Sequence, residues 1–70
     1  MNFTTDNGKY MCPCCGHLTL SEKAPGSFEV CKVCGWEDDK AQYEDPELSG
    51  GANTLSLVDA RRAYAAGLRL

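Results

Sequence analysis

No run of apolar residues in this chain approaches the roughly 20 that a membrane-spanning helix needs, so a bilayer span is not expected. The first ten residues, MNFTTDNGKY, lack a basic start followed by an apolar stretch, and they do not read as a secretory signal. Histidine and tryptophan occur once each, as His17 and Trp36. A single histidine and no Ser/His/Asp grouping leave little from which to build an acid–base or nucleophilic site, so the chain is not expected to be an enzyme. Basic residues are also scarce where they would count. Residues 1–36 balance Asp6, Glu22 and Glu29 against Lys9, Lys23 and Lys32. Over 37–54, Glu37, Asp38, Asp39, Glu44, Asp45 and Glu47 face only Lys40. Arg61, Arg62 and Arg69 sit near the end with only Asp59 against them, and the whole carries a formal charge of −3. Nothing here forms the basic stripe that a phosphate backbone requires, and nucleic acid is not expected as a partner.

Size is the next shortage. At 70 residues the chain makes one small domain, and a domain of that length buries only about 60% of the surface its unfolded form exposes. Chains this short usually need a staple: disulfides, a metal or a partner. There are five cysteines, an odd count that fits a secreted disulfide scaffold poorly. The expected compartment is therefore the reducing cytoplasm, where clustered cysteines are more often metal ligands or reactive thiols than disulfides.

Those cysteines are what the sequence does have. Residues 12–16 read CPCCG and residues 31–35 read CKVCG. Aligned on their shared ending, Cys12 matches Cys31, Cys15 matches Cys34 and Gly16 matches Gly35, with Cys14 opposite Val33. The spacing is C-x2-C-x15-C-x2-C, a zinc-site pattern. Two thiolates three residues apart can reach one ion from a tight turn, and a glycine after the second allows the positive φ that turns backbone N–H groups toward sulfur. Two such knuckles supply a tetrahedron of sulfur around one Zn2+ per chain. Iron fits the same four thiolates, so a rubredoxin-like electron carrier is the alternative. Cys14 is then left over. It reads as a free, partly exposed thiol, and the sharper alternative is a reactive thiol whose ionised form is a nucleophile. His17 reads as a strand or surface residue rather than a ligand.

The remaining elements are short. His17–Leu20 alternates with Leu18 and Leu20 on one face, and Phe28–Val30 does so with Phe28 and Val30 on one face. The intervening SEKAPGS reads as the hairpin loop joining them, with Lys9–Met11 a possible third strand. Trp36 is expected to cover the site. Glu37, Asp38 and Asp39 read as a solvated acidic turn, open to pairing with Arg61 or Arg62, and a turn of helix could start at Pro46. A final helix is capped by Ser56, carries Leu57, Ala60, Tyr64 and Leu68 on one face, and stops at Gly67. The ends, 1–8 and 68–70, are expected to be loose.

CPCCG followed by HLTL, then VCKVCGWEDD, then SGGANTLSLVDARRAY, resembles the bacterial cysteine-rich CPCC domain family over residues 10–64. The resemblance implies knuckles similar to those of zinc-ribbon and rubredoxin-like proteins. Lys32 stands where members of that family often have proline. The reading is thus an α+β domain: a small zinc-ribbon-like β-hairpin sheet with a C-terminal helix. Its zinc would be structural, held by Cys12, Cys15, Cys31 and Cys34, and its surface would bind another protein as an adaptor. A thiol-redox role through Cys14 stands beside iron electron transfer as the alternative.

Overall fold

The computed structural model describes residues 8–70, so the expected loose start falls almost wholly outside them. Two short strands, β1 (Tyr10–Met11) and β2 (Leu18–Leu20), pair antiparallel, with Tyr10 opposite Leu20 and Met11 opposite Leu18. The turn between them is the first knuckle itself. Cys12 donates its N–H to the His17 carbonyl (2.9 Å), and Gly16 donates to the Cys12 carbonyl (2.9 Å). The second knuckle repeats the arrangement. Cys31 donates to the Trp36 carbonyl (2.8 Å), Gly35 donates to the Cys31 carbonyl (2.8 Å), and Val30 bridges antiparallel to Glu37.

This corrects the expected pairing. His17–Leu20 and Phe28–Val30 are not joined as a hairpin through SEKAPGS; each closes on the chain across its own knuckle. What links the two segments is a side chain: Glu29 Oε1 accepts from the Ser21 N–H (2.8 Å) and hydroxyl (2.9 Å). Phe28 and Val30 share no buried face either. Phe28 has φ +56°, and both side chains stay more than half exposed.

The acidic segment differs most. Asp38 and Asp39 are buried, not solvated. Asp39 caps helix α1 (Lys40–Glu44), its Oδ1 accepting from Ala41 N (2.8 Å) and Gln42 N (3.3 Å). Its Oδ2 accepts from Ala52 N (2.9 Å). Asp38 Oδ2 accepts from the N–H (3.0 Å) and hydroxyl (2.8 Å) of Ser27. Asp39 thus replaces water with N–H donors on both oxygens, whereas Asp38 does so on Oδ2 alone and its buried Oδ1 has no partner among the described residues. Helix α1 precedes Pro46 instead of starting there, since the residue before a proline is pushed out of helical geometry. Arg61 and Arg62 do not reach this segment; Arg62 pairs with Asp59 at 3.5 Å and Arg61 turns to the first knuckle.

Helix α2 (Leu57–Ala65) forms with Ser56 as its cap, the hydroxyl accepting from Asp59 N (3.1 Å). It ends at Gly67, φ +90°, where Leu68 N reaches Ala63 O and Gly67 N reaches Tyr64 O, both at 2.9 Å. That paired 6→1 and 5→2 bonding needs a left-handed residue, and glycine takes it without a Cβ clash. Leu57 and Ala60 are buried and Tyr64 partly so, but Leu68 lies past the glycine and is exposed. Residues 68–70, expected to be loose, make definite contacts: Leu70 donates its N–H to the Cys34 carbonyl (2.8 Å), and its side chain packs on the core.

The core is small, and cysteine makes up half of it. Of its eight buried residues four are Cys12, Cys14, Cys31 and Cys34; the others are Leu20, Trp36, Leu57 and Ala60. The architecture is α+β and zinc-ribbon-like, two knuckle hairpins with helices beside them.

Candidate metal centre

The two knuckles present matched sets of donors to their sulfurs. Cys12 Sγ is approached by the N–H groups of Cys14 and Cys15, and Cys31 Sγ by those of Val33 and Cys34. Cys15 Sγ is approached by the His17 N–H, and Cys34 Sγ by the Trp36 N–H at 3.4 Å. The equivalence pairs Cys14 with Val33 as backbone donors. It follows from Gly16 and Gly35, whose φ values of +80° and +89° fold each turn back over its own first cysteine.

Facing each other, the knuckles bring Cys12, Cys15, Cys31 and Cys34 together with all four Sγ atoms within 4.8 Å of one another. Two cross-knuckle pairs, Cys12–Cys34 and Cys15–Cys31, are each separated by 3.7 Å. A tetrahedron of sulfurs with Zn–S of ~2.3 Å has edges of ~3.8 Å, so the cluster already has the dimensions of a four-thiolate site. Cys12, Cys31 and Cys34 are buried and Cys15 partly so. The donor set therefore fits a metal ion of the zinc or iron type in both geometry and chemistry.

The electrostatics say the same. Burial pushes the Cys12 thiol up to about 12 and the Cys15 thiol up to about 11. Burial drives Cys34 higher still, reinforced by the neighbouring Cys12. Cys31 goes the other way. Burial opposes its thiolate, but the Thr19 hydroxyl, 2.9 Å from its sulfur, and the N–H groups of Cys34 and Val33 outweigh it and bring the thiol to about 6. One sulfur is thus ready to ionise, while three need a cation among them to do so.

Cys14 stays outside the four-sulfur cluster. It is also not the partly exposed thiol expected, because it is only 8% exposed and packs in the core. Burial raises its pKa, and the lowering influences of Cys34 and of Arg61 do not reverse that. A buried thiol held in its neutral form is a poor nucleophile. Since Val33 fills the equivalent place in the other knuckle, a Cys14→Val variant should keep its full metal content. Its stability should fall by no more than about 1–3 kcal/mol, the usual cost of adding a methyl group to a packed site. Metal analysis and urea titration check both. Metal loss on this one exchange would mean that Cys14, not Cys15, completes the set.

His17 is exposed, its Nε2 lies 3.0 Å from the Tyr64 hydroxyl, and it is not part of the four-sulfur cluster. Trp36 is wholly buried, so no edge of it is offered to a ligand. Two contributors escaped the sequence reading. Thr19 is buried beside Cys31, where simple alternation gave it no role. Leu70 lies over Gly35 so closely that a Cβ there would collide with the Leu70 carbonyl. Among the described residues, no helix is long and apolar enough to cross a membrane.

Two CxxCG turns closing on one four-sulfur cluster, flanked by short antiparallel strands and a capped helix, define a small cysteine-rich domain of the zinc-ribbon-like class. Residues 10–67 match the model of the family described as cysteine-rich CPCC, and the chain belongs to that family. No curated protein matches the chain.

Proposed function

We propose that this is a zinc-binding protein in which one structural Zn2+, held by Cys12, Cys15, Cys31 and Cys34, organises a surface that binds another protein. The observation that carries the metal reading is the pair of 3.7 Å cross-knuckle separations within a cluster no wider than 4.8 Å. Four thiolates close a tetrahedral zinc, leaving no position for substrate or water, and that favours a structural role over a catalytic one. All five cysteines are free thiols, which suits a reducing cytoplasm. Four thiolates and one Zn2+ take the formal charge from −3 to −5. That charge favours a protein partner over a polyanion such as nucleic acid.

Iron electron transfer is the second reading, since N–H groups directed at the sulfurs also serve an iron–thiolate site. Thiol-redox work at Cys14 is disfavoured by its burial. Native mass spectrometry of protein from its natural source, together with its visible spectrum, separates these. We expect one zinc per chain, no colour, and a stable complex with another protein. A ferric tetrathiolate absorbs visible light, and its presence at full occupancy would replace the structural-zinc reading with electron transfer.

A further inference from the structure

Beside the four-sulfur cluster the described residues form a concavity of about 630 Å³ along the first knuckle. Two residues of the sulfur cluster, Cys12 and Cys15, line it while Cys31 and Cys34 do not, so it flanks the metal centre on the side of the first knuckle. Chain 10–16 runs along one wall, from β1 through the knuckle. The opposite wall is assembled from three separate segments: Lys23 and Ala24 of the connecting loop, Tyr43 of α1 and Arg61 of α2. Met11 and Tyr43 bring exposed apolar surface to it, 61% and 42% accessible. These two side chains give the groove an apolar rim next to its charged residues.

Charge selects the occupant. Among the described residues Lys40 pairs with Glu44, Arg62 pairs with Asp59, and Lys9 lies near enough to Glu29 to lower its pKa. Lys23, Lys32, Arg61 and Arg69 make no ion pair among the described residues, and of these four Lys23 and Arg61 line this groove. Arg61 donates Nε–H to the Pro13 carbonyl (3.0 Å), which fixes its guanidinium at the rim. Lys23 and Arg61, two cations without an ion pair beside the apolar surface of Met11 and Tyr43, are complementary to carboxylates attached to an apolar group. A long polyanion would also meet the acidic excess of residues 37–47, whereas a short acidic segment need not.

We infer that this groove receives a segment of a partner protein in which a large apolar side chain is flanked by carboxylates. The inference rests on the binding-module reading above and names the surface and the partner chemistry for it. The volume lies in the range of pockets that enclose a large side chain or small ligand. Met11, Tyr10 and Tyr43 contact the apolar group, and Lys23 and Arg61 contact the acids.

The test is selection of phage-displayed random heptapeptides against the full-length, metal-loaded protein, followed by amide shift mapping with the best peptide. Enriched sequences should place Leu, Phe or Trp beside Asp or Glu, and their binding should shift the amides of Met11, Cys14, Lys23 and Tyr43. Lys23 is exposed and makes no hydrogen bond among the described residues, so Lys23→Glu should leave the fold intact while weakening binding about tenfold or more. Met11→Lys provides a second, independent loss of binding. Basic or charge-indifferent consensus sequences, no enrichment at all, or an oligothymidine that displaces the best peptide from these amides would each overturn the inference. So would shifts of the same amides on deleting residues 1–7, which would make the occupant the chain's own segment. Peptides that bind another face and ignore Lys23→Glu remove the groove while leaving the binding-module reading standing.

Discussion

A Cys34→Ser variant should lose its metal and most of its ordered structure together. Cys34 is wholly buried, 3.7 Å from Cys12, and its carbonyl receives the Leu70 N–H. Serine supplies a weak, hard oxygen where the site needs a soft thiolate, so the tetrahedron loses a corner. The consequence spreads because the apolar core is thin: four of its eight residues are cysteines. Without a cation, Cys12, Cys15 and Cys34 stay protonated, and their sulfurs act as small apolar groups that hold the knuckles together weakly. Structural zinc contributes on the order of 10–16 kcal/mol of apparent binding free energy. A domain's whole net stability is about 5–15 kcal/mol. Loss of the metal therefore outweighs anything the rest of the core supplies. Strong chelation of the unaltered protein should give the same result, seen as collapse of amide dispersion and a metal content near zero. Acid should do so too, because protons compete for the thiolates and the metal is released as pH falls. An apo form that keeps native dispersion would show that the apolar and polar packing suffices alone, and a Cys15→Ser variant with full metal content would show that the knuckles were set in the wrong register.

The site was legible in the sequence because its determinants are local and repeated. Two CxxCG turns carry their own geometry: the glycine φ, the N–H groups aimed back at sulfur and the closing bond from glycine to the first cysteine all lie within six residues. The capped helix was legible for the same reason, since Ser56, Asp59 and Gly67 mark its ends by short-range bonds. The pairing of strands was not. Alternation found the extended stretch at Leu18–Leu20 but also suggested one at Phe28–Val30, where Phe28 has φ +56°; nothing in a run of three or four residues states its partner, and the SEKAPGS loop suggested the wrong one. Each knuckle is itself a turn, so β1 closes on β2 across it, while SEKAPGS serves as a crossing between the hairpins. The acidic stretch misled for a different reason. A run of Glu and Asp is normally solvated, and its burial here depends on donors at Ser27, Ala41, Gln42 and Ala52, up to thirteen residues away. Composition records the charge and not the donors.

Those distant donors lead to the second large effect. Gln42→Ala should destabilise the folded, metal-loaded protein by about 3 kcal/mol or more, from the loss of several buried hydrogen bonds at once. Gln42 is wholly buried on α1, and its amide makes bonds to three stretches of chain. Nε2 donates toward the carbonyls of Leu48 (3.0 Å), Asn53 (3.1 Å) and Leu55 (3.1 Å), while Oε1 accepts from Asn53 N (3.0 Å) and Nδ2 (2.9 Å). Asn53 passes the connection on. Its side chain accepts from Glu37 N and donates to Glu37 O, both at 2.8 Å, standing in for a neighbouring strand beside the second knuckle. The irregular segment 45–55 has no regular secondary structure of its own, so these bonds satisfy its backbone. Truncation to alanine leaves the carbonyls and the Asn53 donors in place without a partner, and an unpaired buried polar group costs about 1–3 kcal/mol. Gln42→Glu is the sharper variant. It keeps the shape and the acceptor but removes the amide donor, setting a carboxylate against three carbonyl oxygens, so it should destabilise at least as much despite being nearly isosteric. Gly51→Ala probes the same centre from the other side, since a Cβ there would lie 2.7 Å from Asp39 Oδ2 and 2.9 Å from Gln42 Cδ. Urea unfolding of the three variants at saturating metal reads the effect directly. The metal should remain bound in each folded variant, because no ligand is altered, and amide exchange should rise first across residues 45–55. If Gln42→Ala leaves the midpoint unchanged, the segment is held by water or by the metal knuckle alone, and the amide is not the centre that fixes it.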